Sequence, residues 1–327
     1  MTTMPAALAA TALLLSACGE TEAGQQALSG GEVEVDEALY DCEPGQDSVD
    51  LSTLEPDEDR DVTVGVFNGW IDTLVSAHLA EHLLEEEYGY SVTVEAYDPA
   101  PGFTGAAAGD IDWIASSQLP STHADYLAEY GDSLDVQGCW YGEATNTIAV
   151  TEDSPAQSLA DLQEMSEEYD STIVGIEPGA GHMRVTADSV MPAYGLDDWE
   201  LTEASTPAML AAVQQAADSG ENIAVTMWHP HWAYESFPLR DLEDPEGAFG
   251  PAEKLFPLTN SEFAESHPFV AQVLTNMAMD EERTASLMHL MAAPDEYDNE
   301  NPEEAVAEWI GQNPDFLEEW KAGELTG

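Results

Sequence analysis

Two indoles and two imidazoles fall within five residues at Trp228-His229-Pro230-His231-Trp232. They follow an apolar run, Asn222 to Met227, that reads as a strand. Open α/β sheets hold their ligands at the carboxyl ends of strands. An indole there is a flat, electron-rich wall, suited to an apolar or cationic small molecule. Trp228, first after the strand, is the candidate wall, and Trp232 reads as core. Trp70, Trp113 and Trp140 also fall at or near expected strand ends, and Trp113, between Ile111 and Ile114, reads as core. His229 and His231 could bind a metal, but zinc needs three or four ligands. Neighbouring-but-one residues at a strand end can also splay to opposite faces. His182 or a carboxylate would have to complete the set, so we expect neither metal nor cofactor. The chain has no nucleophile elbow, no GxxxxGK[ST] phosphate loop and no HExxH, which argues against an enzyme. Glu177-Pro178-Gly179-Ala180-Gly181 lacks the GxGxxG spacing. Its glycines permit close backbone approach at a helix start, which would suit an anion, but an ordinary tight turn explains the motif equally well.

Composition narrows the classes. Of 327 residues, 66 are Asp or Glu and 6 are Lys or Arg, a formal net charge of −60. Phosphate contacts need cationic side chains, so nucleic acid is excluded as a partner. Hydrophobic residues make up 43% of the chain, enough for a real core. Self-repulsion of this size weakens the compact state at low ionic strength, so we expect a protein adapted to high salt, where screening shortens to roughly 3 Å near 1 M. A dedicated calcium loop of the Asp-x-Asp-x-Asp-Gly type is absent.

The start of the chain carries a targeting signal. Ala6 to Ser16 is apolar but too short for a permanent membrane span. Leu15-Ser16-Ala17-Cys18 follows and resembles the lipobox of bacterial lipoproteins, with Cys18 as the lipidated residue. The segment Met1 to Pro5 lacks the usual Lys or Arg. We expect residues 1–18 to be a lipoprotein signal, placing the chain on the outer face of the cytoplasmic membrane with the lipid as its only membrane contact. Residues 19–60, rich in Gly, Gln, Ser and acids, read as a flexible tether. Cys42 and Cys139 would then meet an oxidising exterior as a possible disulfide, though two buried thiols fit equally well.

From Val62 the chain alternates strands and helices. Val62 to Phe67 is a strand. Ile71, Val75, Leu79 and Leu83 recur at helical spacing up to Gly89, and Ser91 to Tyr97 is the next strand. A second β-α-β-α-β series runs from Thr172 to Met227, with Thr206-Pro207 opening one of its helices. Alternation of this kind implies a parallel sheet with right-handed crossovers. From Glu262 onward the chain reads as helices, with Asn301-Pro302-Glu303-Glu304 as a clear start. The expected architecture is therefore α/β with two lobes. Residues 61–150 plus 230–327 would form the first and residues 151–229 the second. Two hinge crossings, near Val150 and near Met227, would leave a ligand cleft between them.

Several motifs in one order complete the reading. They are Gly109-Asp110-Ile111-Asp112, Leu119-Pro120-x-Thr122-His123-x-x-Tyr126, Gly175-Ile176-Glu177-Pro178-Gly179-Ala180-Gly181 and Ala208-Met209-Leu210-Ala211-Ala212. Val225-Thr226-x-Trp228-x-Pro230-His231-Trp232 and Leu242-Glu243-Asp244-Pro245-x-Gly247 follow. With them the chain, from Val62 to Trp320, resembles the substrate-binding proteins of glycine betaine/proline betaine ABC transporters. The resemblance implies a type II periplasmic-binding-protein fold, no catalysis, and delivery of a quaternary-ammonium or other zwitterionic solute to a permease subunit. It implies an aromatic cage for the ammonium group, with Trp228 as one wall. It also implies that the turn Asn68-Gly69-Trp70-Ile71 supplies amides for a carboxylate. Two further cage positions carry Gln118 and Met279 instead of aromatics. A cation–π contact is worth ~0.5–2 kcal/mol, so losing two removes ~1–4 kcal/mol. Either Trp70 or Trp140 rebuilds the cage, or the ligand is a different small polar solute with a group facing Gln118. His182 is a further candidate contact.

Overall fold

The computed structural model describes residues 36–327. The expected lipidation site, Cys18, lies outside them. Among the described residues ten strands form two sheets that share β5: β1 (Asp61–Phe67), β2 (Ser91–Tyr97), β3 (Trp113–Leu119), β4 (Leu134–Val136), β5 (Tyr141–Thr151), β6 (Thr172–Val174), β7 (Glu200–Thr202), β8 (Ala224–His229), β9 (Leu239–Asp241) and β10 (Glu253–Asn260). Their spatial order is β2-β1-β3-β10-β5-β8-β6-β7, with β4 on β10 and β9 on β5. β1 lies parallel to β2 and β3, and β6 lies parallel to β7 and β8. β5 joins the two halves. Tyr141 and Ala144 pair with β10, whereas Thr145 to Val150 pair with β8.

This pairing moves both crossings from where the sequence pattern puts them. The first falls within β5, between Ala144 and Thr145, because one strand serves two ladders. The second falls at the start of β10. β9 still pairs with the Ala149–Thr151 end of β5, and Leu242 and Phe249 pack with Ile148, Trp199 and Ala224. The segment after Trp232 therefore stays with the second sheet until Glu253.

β10 itself is absent from the sequence reading. Pro257 argues against a central strand, since it cannot donate to a ladder. Here it sits where the register between β10 and β3 shifts, between Phe256 and Leu258, so the missing donor coincides with an irregularity. Elsewhere the apolar spacing works as expected. Ile71, Val75, Leu79 and Leu83 of helix Ile71–Tyr88 are all at most 1% exposed, and each buried side chain contributes about 1.5–3 kcal/mol. Gly89 ends that helix at φ 69°, returning its N–H to Glu85.

The described part of the expected tether is folded, not loose. Cys42 is bonded to Cys139, 97 residues away. Leu51 is 1% exposed in the main core. The Asp57 carboxylate accepts from the Phe269 and Val270 amides at 3.1 and 3.2 Å, capping helix Pro268–Asn276. Low apolar content hides these few anchoring residues.

Candidate ligand-binding site

Three strand ends deliver the walls of one cavity. β1 ends in a turn that places Trp70 just before helix Ile71–Tyr88, β3 brings Gln118, and β8 brings Trp228 and His229. Trp70 and Trp228 come from different sheets, yet their ring centroids are 6.3 Å apart at 54°. Asp72, Asn146 and His182 also line the cavity.

Each indole is braced. Trp70 stacks on His123 at 5.7 Å and meets Phe67 edge-on at 4.9 Å. Its Nε1 donates to the Glu177 carboxylate at 3.0 Å. Glu177, 3% exposed, also accepts from the Thr206 amide at 2.6 Å and the Thr206 hydroxyl at 2.9 Å. Trp228 is met edge-on by His231 at 4.6 Å, and the His231 Nδ1 accepts from the Ala233 amide at 3.0 Å. That bond fixes the proton on Nε2. Burial pushes His231 down to about 3, with the charge of His229 adding to the effect. It is therefore a neutral ring at ordinary pH.

Gln118 is a clamped side chain. Its amide nitrogen donates to Glu253 at 3.1 Å and its backbone N–H donates to the His123 Nδ1 at 3.0 Å. Glu253, 3% exposed, further accepts from the Thr122 amide at 3.0 Å, the Thr122 hydroxyl and the Ser121 amide. The Asn146 side-chain Nδ2 donates to the Thr122 hydroxyl at 2.7 Å. One N–H of the Gln118 amide is committed to Glu253, which leaves its second N–H and its carbonyl oxygen uncommitted.

His123 and His182 are buried and neutral, whereas Asp72 is buried and ionised. Burial lowers His123 to about 3, helped by the charge of Arg184. Burial also lowers His182 to about 3, with a Thr147 backbone group pulling weakly the other way. Neither ring nitrogen of His182 has a partner within hydrogen-bond geometry. Burial raises Asp72 to about 6, offset in part by the Ser116 hydroxyl and by the amides of Asp72 and Thr73. Asp72 is thus an anion at neutral pH, and no Lys or Arg lies among the lining residues.

The two lobes also touch beside the cavity. Arg184 donates to the carbonyls of Ser121 and Thr122 at 2.8 and 3.1 Å and lies 3.6 Å from Asp125. The Tyr126 hydroxyl donates to the Gly179 carbonyl at 2.8 Å. A Cβ on Gly181 would lie 1.9 Å from the Thr122 oxygen. The glycine run therefore permits lobe contact and does not frame an anion. Gly69 behaves similarly: at φ 79° its Cβ would meet Thr206 at 2.9 Å and Pro207 at 3.0 Å.

Of the residues singled out from the sequence, the structure brings Trp70, Trp228, Gln118 and His182 to the cavity. It does not bring Trp140 or Met279 there. Both are fully buried in the main core, where the Met279 amide donates to the Trp140 carbonyl at 2.8 Å. The Trp140 Nε1 lies 3.3 Å from the Ser116 hydroxyl. Packing on both sides leaves neither side chain free to rebuild a cage. Asp72, Glu177, Asn146 and Glu253 were missed. Only Glu177, inside a quoted motif, left a signal in the sequence.

Comparison with known proteins fixes the family. The profile described as the substrate binding domain of ABC-type glycine betaine transport systems matches residues 60–312. The chain belongs to that family. It is a family of transport substrate-binding domains, not of enzymes. The glycine betaine/carnitine transport binding protein GbuC of Listeria monocytogenes is 35% identical over 163 residues, 49% of this chain and 52% of GbuC. The match thus spans about half the length of that curated relative. Lactococcal OpuAC, in its closed form with glycine betaine, superposes with a TM-score of 0.71 at 28% identity, covering 80% of this chain and 99% of OpuAC. A choline-binding protein of an ABC transporter, in complex with choline, gives 0.71 at 27%, covering 81% and 93%. The family fold is two-lobed, and the present architecture agrees with it.

Proposed function

We propose that this chain is the extracytoplasmic receptor of an ABC importer and takes up a quaternary-ammonium solute of the glycine betaine or choline class between its lobes. The observation that carries this reading is the pair Trp70 and Trp228, contributed by different sheets to one cavity with centroids 6.3 Å apart. Two indole faces at that spacing suit an alkylated ammonium group, which lacks hydrogen-bond donors and is stabilised by ring quadrupoles. Relatives that bind glycine betaine and choline support the class.

The wider reading follows from the same role. Residues 36–144 with 253–327 and residues 145–252 act as the two closing halves. The partner is the permease subunit of the importer. The Cys42–Cys139 disulfide suits an oxidising exterior. Among the described residues no helix is long and apolar enough to cross a membrane, and we assign membrane attachment to a lipid on Cys18. The net charge of −60 supports a salt-rich setting.

Titration of the purified protein with glycine betaine and with choline, following tryptophan fluorescence, tests the proposal. Saturable binding of at least one is expected. Trp228→Ala should weaken it at least about thirtyfold, corresponding to ~2 kcal/mol of lost cation–π contact. A wild-type protein that answers neither solute overturns the reading.

A further inference from the structure

Resting on the receptor reading above, we infer that Tyr40, in the segment before β1, is a positioning residue for the ligand site: its hydroxyl braces the loop 118–123 through Ser121, and the Cys42–Cys139 disulfide holds it there. That loop has two duties. It lines the cavity with Gln118, Thr122 and His123. It also receives the other lobe, because the Ser121 and Thr122 carbonyls accept from Arg184 and the Thr122 hydroxyl accepts from Asn146. On its own side, the Ser121 and Thr122 amides, the Thr122 hydroxyl and the Gln118 side chain all rest on one carboxylate, Glu253. Ser121 reaches Glu253 and Arg184 through its backbone alone. Its hydroxyl goes to the Tyr40 hydroxyl, at 2.6 Å.

Tyr40 lies on the short 3-10 helix Glu37–Asp41, just ahead of Cys42. The disulfide ties that helix to Cys139, just before β5, and the Cys139 amide donates to the Cys42 sulfur at 3.3 Å. Packing beneath the segment is incomplete. A cavity of about 550 Å³ opens between Leu39, Asp41 and Cys42 on one side and Val136, Phe256 and Thr275 on the other. The covalent bond therefore does what packing there does not. Burial raises Tyr40 above the ordinary tyrosine range, with the Ser121 hydroxyl pulling the other way and the nearby charge of Glu253 adding to the rise. The hydroxyl is un-ionised at working pH and can supply the proton of the bond to Ser121. Closure fixes the loop a second time, through Arg184 and Asn146. A loop braced beforehand loses less freedom at that moment, so the brace favours binding by pre-organisation. Its effect falls on association, because the grips from the other lobe hold the loop once the molecule has closed.

Stopped-flow tryptophan fluorescence on the purified protein, with glycine betaine and with choline as probes, tests this. Tyr40→Phe should weaken whichever solute the wild type binds by about fivefold, the size of one lost hydrogen bond. The loss should come through slower association, with dissociation unchanged. Ser121→Ala leaves both backbone contacts in place and should do the same, and the double variant should be no worse than either single one. In a protein carrying Cys42→Ser and Cys139→Ser, Tyr40→Phe should have no further effect. Should those serines prevent folding, the Tyr40 and Ser121 variants decide alone. Affinity within about 1.5-fold of wild type in Tyr40→Phe, additive losses in the double variant, or a loss carried by faster dissociation each overturns the inference and leaves the receptor reading standing. A Tyr40→Phe effect that persists undiminished without the disulfide overturns the role of the disulfide. A wild type that binds neither solute overturns the receptor reading, and this inference with it.

Discussion

Trp70 and Trp228 present similar faces to one cavity but are held in different ways. Trp228 rests on His231, three residues along the same chain segment and on the same lobe. Its position is set before the lobes meet. Trp70 is anchored through its Nε1 to Glu177, which stands after β6 in the other lobe. Its ring is already braced within its own lobe by His123 and Phe67, but its Nε1 finds the Glu177 carboxylate only when the lobes are together. One wall is thus part of the scaffold, and the other is part of the act of closing. The difference shows how a binding protein can couple ligand contact to closure with a single side-chain hydrogen bond.

The largest expected effect would strike both walls at once. His123 under Trp70 and His231 against Trp228 are buried and neutral, as is His182, each at about 3 against an ordinary 6.5. The unfolded chain takes up these protons below pH 6.5 and the folded chain does not. Their stabilisation is therefore complete above pH 6.5 and declines as pH falls, by about 1.4 kcal/mol per histidine per pH unit. Asp72, raised to about 6, and Asp112 and Asp125, also raised by burial, work in the opposite sense and offset part of this loss. Thermal unfolding should move to clearly lower temperature between pH 7.5 and pH 5. A flat profile would mean that the rings are not buried neutral supports.

A smaller effect should separate the walls. Glu177→Gln replaces a charge-assisted bond to Trp70 with a neutral one, a change of about 1 kcal/mol. Affinity should fall roughly fivefold, and the ligand-induced fluorescence change should shrink through Trp70 while the Trp228 contribution persists. An equal loss of both contributions would break the contrast drawn here. The smallest effect is expected at Trp140→Phe. It should cost about 1–2 kcal/mol of stability through core packing and a lost bond to Ser116, and leave affinity within twofold or so. A large loss of affinity would return Trp140 to the site.

These contrasts were only partly open to sequence reasoning. Helix Ile71–Tyr88 declares itself through four apolar residues at helical spacing, and Trp228 through its place at the end of an apolar strand. Asp72 does not declare itself. An acid in the first turn of a helix ordinarily complements the helix dipole, and nothing local indicates that this one faces a cavity. Glu253 clamps Gln118 from 135 positions away, on a strand disguised by Pro257. Motif correspondence placed Met279 near the site, and a place near a strand end did the same for Trp140. Correspondence gives a position along the chain but not the side toward which packing turns the residue. The segment before β1 misled for a related reason: its composition is that of a linker, while Leu51, Asp57 and Cys42 are enough to pin it down.

One strand bears on how the molecule moves. β5 keeps one ladder with β10 up to Ala144 and another with β8 from Thr145 onward. Twisting its backbone between those two residues can swing one half against the other while each ladder stays intact. Opening then breaks no sheet pairing at that joint, and among the contacts that resist it are the side-chain grips at Glu177, Arg184, Tyr126 and Asn146. Tuning how readily such a receptor gapes is therefore a matter of editing those grips, with the spine left untouched.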